Sequence, residues 1–154
     1  MATTTTTTTT NKVSSINVVS FSNTPQAGDD RFTGLNEDFS GVKYFSVMAN
    51  DLGGAAKTLW SLDDGSSSTT STKIYAPADL LTQDTARTEE LSTDKSACGA
   101  KIWITSDGKV GYDTNTDAFK DAFQSLAAGE IGYDKFTYAI RLGNGTLSWA
   151  TATV

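Results

Sequence analysis

The chain has 154 residues, of which 38 % are hydrophobic, and a formal charge of −6. It contains no histidine and one cysteine, Cys98, which excludes a Ser-His-Asp or Cys-His nucleophile, imidazole-bound zinc or iron, and an intramolecular disulphide. The acidic balance argues against nucleic acid, whose phosphates need clustered Lys and Arg, and no run of about 18 apolar residues offers a membrane span.

Residues 1–12 open with Thr3–Thr10, a low-complexity tail with no apolar face. A solvated tail, an O-glycosylated stalk and a strand ordered by a neighbour are all open readings. Neither a basic nor an apolar leader precedes it, so no Sec-type signal peptide is expected in this chain. Val13, Ile16, Val18, Val19 and Phe21 then pattern a strand over 13–22, set apart by Ser22-Asn23-Thr24-Pro25.

Residues 23–154 read as a single β-sandwich domain with a polar insertion at about 66–97. Gly28 to Asp38 is an acidic loop or short edge strand. Val42–Met48 and Thr58–Leu62 are strands, each stopped by a cluster of turn residues. Lys73–Tyr75 is a further strand, Ala78–Leu81 a helical turn, and Thr82–Ala97 a polar surface loop. Lys101–Thr105 and Val110–Tyr112 flank an Asp107-Gly108 turn. Phe119, Phe123 and Leu126 fall at helical spacing, predicting a short helix near 117–126 with Asp117 as its N-cap and Gly129 as its stop.

The closing stretch is the most strongly patterned. Phe136, Tyr138, Ile140 and Leu142 alternate with Lys135, Thr137, Ala139 and Arg141, the period of a half-buried strand. Gly143-Asn144-Gly145 supplies a hairpin turn, and Thr146–Val154 returns as a strand with Trp149 and Leu147 towards the core. The fold expected is all-β: an immunoglobulin-like antiparallel sandwich of about seven to nine strands.

An ordered set of short motifs carries a resemblance. Pro25-Gln26-Ala27-Gly28-Asp29-Asp30, Asn36-Glu37-Asp38, Val47-Met48-Ala49-Asn50-Asp51, Ser106 to Tyr112, Leu126-Ala127-Ala128-Gly129-Glu130 and Asp134-Lys135-Phe136-Thr137-Tyr138 follow one another as in VCBS and cadherin-like repeats. Those repeats build large bacterial surface adhesins and secreted repeat-in-toxin proteins. The resemblance implies an extracellular or cell-surface module for adhesion or biofilm matrix, used alongside neighbouring repeat domains and stiffened by calcium. Its acidic positions here are Asp29, Asp30, Glu37, Asp38, Asn50 and Asp51. Calcium takes about six to eight oxygens, and that many gathered carboxylates repel without a cation. The alternative is that these are solvated turn residues. Arg141-Leu142-Gly143 departs from the family, which commonly carries Asp in the last hairpin turn.

Further expectations follow. In tandem repeats the segment before the Pro-x-Ala-x-Asp-Asp signature is the last strand of the preceding domain. Val13–Phe21 therefore either folds back on its own sandwich or adds to a neighbouring copy, giving a head-to-tail fibre. Trp60, Trp103 and Trp149 suggest an alternative function, a carbohydrate-binding module stacking on cell-surface glycans, against ordinary core packing. No nucleophile–base motif accompanies the carboxylates, so no enzyme is expected, and Cys98 reads as an idle small residue. Asp113-Thr114-Asn115-Thr116-Asp117 starts like an EF-hand loop but has Ala118 where the sharp turn needs Gly and Gln124 where the bidentate Glu belongs.

Overall fold

The computed structural model describes residues 27–36, 38–52, 56–65, 78–127 and 129–154, and these build two stacked sheets. The expected tail, the strand carrying Val13, Ile16, Val18, Val19 and Phe21, the Lys73–Tyr75 strand and Glu37 lie outside the described residues. The elements are β1 (Asp30–Arg31), β2 (Val42–Phe45), β3 (Thr58–Asp63), β4 (Lys101–Ile104), β5 (Val110–Asp113), α1 (Asp117–Phe123), β6 (Lys135–Arg141) and β7 (Leu147–Thr153). One sheet runs β1-β7-β6-β3 and the other β2-β5-β4. Assigning the third, sixth and seventh strands to one layer and the second, fourth and fifth to the other is the partition of an immunoglobulin-like sandwich. The ladders are antiparallel except at β1, which pairs parallel with β7, Asp30 opposite Ala152. Among the described residues no helix is long and apolar enough to cross a membrane.

The β6–β7 hairpin forms where the alternation demands it. Gly145 sits at φ 86°, a conformation open to glycine at no steric cost, and Leu142 N donates to Thr146 O at 2.8 Å to close the turn. Phe136, Tyr138 and Ile140 are fully buried, facing Ile102, Ile104, Val110 and Tyr112 of the other sheet. Each buried side chain of this size contributes about 1.5–3 kcal/mol. Their ladder partners on β7 are small: Ala152 opposite Phe136, Ala150 opposite Tyr138, Ser148 opposite Ile140. This reverses the expected phase of the last strand. Ser148, Ala150 and Ala152 point inward, and Trp149 lies on the outer face, 36 % exposed, because the large side chains of β6 already fill the space beneath.

One other expectation is corrected and one is sharpened. Thr116, rather than Asp117, caps α1: its hydroxyl accepts from Phe119 N at 3.2 Å and donates to Gly99 O at 2.8 Å. The stretch 82–97 runs over the surface, as expected, and in addition straps together the outer edges of both sheets. On β3, Asp84 N donates to Trp60 O at 2.9 Å, Leu62 N to Asp84 Oδ2 at 2.7 Å, and Ser61 Oγ to Leu80 O at 2.6 Å. On β4, Ile102 N donates to Asp94 O at 3.1 Å and Ser92 Oγ to Ile102 O at 2.6 Å. Both edge strands thereby lose the unpaired backbone that invites edge-to-edge association.

Candidate functional site

Each strand of the sandwich ends at one of two poles. The first holds the β4–β5 and β6–β7 turns and the end of β2; the second holds the start of β6, the ends of β3 and β7, and α1. The chain leads in through Ala27 at the first pole, where its amide donates to Ser148 Oγ at 3.0 Å, and Gly28-Asp29-Asp30 runs from there towards Ala152, meeting Asn50-Asp51 on the way. Gly28 N donates to Asp51 Oδ1 at 2.7 Å, and Asn50 Nδ2 to Asp29 O at 3.0 Å.

Tyr138 reaches this cluster from beneath. Its hydroxyl oxygen stands 2.7 Å from Asp30 Oδ2, 2.9 Å from Gly28 O, 3.0 Å from Val47 O and 3.3 Å from Asp51 Oδ1. One phenolic proton cannot satisfy four acceptors; at most one of them receives it. Asp51 is 6 % exposed, and its Oδ2 is buried without a hydrogen-bond partner among the described residues. Burial, opposed by the Tyr138 hydrogen bond and reinforced by Asp51 and Asp29, lifts Asp30 to about 6. Burial lifts Asp51 as well, against the Gly28 amide, Tyr138 and the Lys57 ammonium. Tyr138 itself is held far above its ordinary range, by burial first and by both carboxylates. The knot holds more acceptors than donors even with the Lys57 ammonium donating to Asp51 O beside it, and a proton or a hard cation would relieve it.

The donor set fits calcium in kind: Asp30 and Asp51 carboxylates and the Gly28 and Val47 carbonyls, all hard oxygens, with Asp51 Oδ2 uncommitted. It is smaller than the resemblance implied. Asp29 turns its carboxylate away to accept from Thr151 N at 2.9 Å. Asp38 lies before β2 in a turn where its amide donates to Asn36 Oδ1 at 2.8 Å, whereas Asp51 follows β2, so the strand holds them roughly 10 Å or more apart. Asn50 spends its side-chain amide on Asp29 O, and Glu37 lies outside the described residues. Among the described residues, no three His, Cys, Asp or Glu side chains converge as a metal cluster. Tyr138 and the carbonyls of Gly28 and Val47 were missed at the level of sequence, where a core tyrosine on an alternating strand gives no sign of its hydroxyl's surroundings.

The tryptophans are divided between the two layers. Trp103 lies on the sheet of β4, 5 % exposed, flat against Gly111 and edge-on to Tyr44 at 6.3 Å. Trp60 belongs to the other sheet, with Nε1 donating to Leu81 O at 3.2 Å and the Arg141 guanidinium 5.3 Å from its ring centre. Trp149 is on that second sheet's exposed face. The three share no platform.

Cys98 is part-buried beside Asp134. Burial and that carboxylate push its thiol up to about 11, which leaves it protonated and unreactive at neutral pH.

Fold and site together define a β-sandwich module with an oxygen-lined knot at one pole. No family model, curated protein or solved structure matches the chain.

Proposed function

We propose that this protein is an extracellular structural or adhesive module, joined end to end with further copies or repeats, in which a calcium ion stiffens the pole where the chain leads in. Asp51 Oδ2, buried and without a hydrogen-bond partner among the described residues, in a cluster made of oxygens, carries the reading. A bound cation there ties Gly28–Asp30, which continues from the preceding segment, to Val47 and Asp51, which belong to the body of the sandwich. Asp30 and Asp51 supply the charge; Gly28 and Val47 supply carbonyls. In this reading the service of the knot is mechanical.

The test is sedimentation velocity of the full chain with millimolar calcium and with chelator. Concentration-dependent species larger than a monomer, favoured by calcium, are expected. A single monomeric species in both conditions, at every concentration, contradicts the reading.

A further inference from the structure

The second pole carries a groove of about 420 Å³ between β1 and the segment that follows α1. Phe32, Leu35, Phe119, Phe123, Leu126 and Val154 line it. Ile131 and Tyr133 stand on its rim, 73 % and 54 % exposed. A large aliphatic side chain left that open beside an apolar groove marks a surface that another apolar element covers. Both walls also carry unspent backbone. Among the described residues, neither Thr33–Leu35 on one side nor Ile131–Gly132 on the other makes a backbone–backbone hydrogen bond. An apolar floor flanked by open backbone suits an extended peptide, whose amides bond to the walls while alternate side chains enter the floor.

We infer that this groove receives Val13–Phe21 of a second copy of the chain; the inference rests on the end-to-end reading above. Asn11–Ser22 carries one charge, Lys12, and five large apolar residues at Val13, Ile16, Val18, Val19 and Phe21. That composition matches an uncharged floor, with Glu130 on the rim available to Lys12. Polarity of the sandwich favours the second copy over the first. Ala27 is fixed beside Ser148 at the first pole, and six residues of strand, about 20 Å, separate Ser148 from Val154 at the groove. Phe21 lies six residues before Ala27, a reach of about 20 Å at full extension. Val13, fourteen residues before Ala27, reaches about 46–50 Å, so its own groove is within reach, but by a run doubling back along an edge β1 already occupies. A neighbour stacked first pole to second pole delivers the segment directly. Because donor and acceptor surfaces differ, the contact is heterologous and propagates as a filament.

The test uses full chains in a Cys98→Ser background, one carrying Val18→Cys and the other Leu126→Cys, mixed and oxidised. A second pairing of Val18→Cys with the exposed Ile131→Cys covers the case in which the Leu126 substitution disturbs folding. Mixed disulphide dimers are expected from both pairings and are suppressed by excess chain lacking the introduced cysteines. Absence of mixed dimers at both groove positions overturns the inference, as does a purely intramolecular disulphide when both cysteines are placed in one chain. If calcium-favoured assemblies persist in that event, the module reading stands and only the groove assignment falls.

Discussion

Tyr112 Oη donates to Asp134 Oδ2 at 2.5 Å, binding β5 of one sheet to the residue that opens β6 of the other. Asp134 also accepts from Cys98 N at 2.8 Å and Lys135 N at 2.7 Å, and its backbone exchanges hydrogen bonds with Val154. Donors and acceptors balance at this pole. At the other, Tyr138 performs the same crossing in the opposite direction but meets an excess of acceptors. Two tyrosines of the same core thus close one end with donors and acceptors matched and leave the other with more acceptors than donors.

Tyr112→Phe removes a donor from a buried carboxylate and is expected to destabilise the fold by about 1–3 kcal/mol. Urea unfolding measures it, as a lower midpoint at unchanged slope.

Asp51→Asn should do the reverse when calcium is chelated. The amide replaces an unpartnered buried oxygen with a group that can donate, and it removes one of two facing charges. Thermal unfolding in chelator should show the variant at least as stable as the parent, with its response to calcium lost. A variant much less stable in chelator contradicts the charge account of the knot.

Acidification should stabilise the chain. Burial, the facing Asp84 and the shared hydrogen bond lift Asp94 to about 7, with Asp63 adding to the rise and Ser92 opposing it. Hydrogen bonding with Asp113, then burial, lifts Glu89 to about 7, against the Lys101 charge. A carboxyl whose folded value exceeds its unfolded one gives stability that is complete below the unfolded value and lost as pH rises through the folded one. The melting midpoint without calcium should therefore fall between pH 5 and pH 8, and Asp94→Asn, which donates to Asp84 without needing a proton, should flatten that fall.

Gly111→Ala should cost about 1–3 kcal/mol through overpacking, since an added Cβ would stand 2.2 Å from Trp103 Cε2. Tryptophan emission should shift to the red as the ring is displaced towards solvent.

The closing hairpin was legible because strict alternation and Gly143-Asn144-Gly145 are local signals, and the sheets then follow from burying Phe136, Tyr138 and Ile140. Trp149 was misplaced because size suggests the core, whereas its strand faces β6 side chains large enough to require Ser148, Ala150 and Ala152. The strap escaped notice because short polar groups and backbone fasten it, through Ser61, Asp84 and Ser92, and these leave no hydrophobic period. For the acidic residues, spacing along the chain says nothing about poles. Asp30 and Asp51 meet at one end, while Asp38, closer to both in sequence than they are to each other, belongs at the other end of β2.

The most direct test of the account is the melting midpoint of the full chain at neutral pH, with millimolar calcium against chelator, for the parent and Asp51→Asn. The account predicts a calcium-dependent rise in the parent that magnesium does not reproduce and that disappears in the variant. Equal midpoints for the parent in calcium and chelator would contradict it.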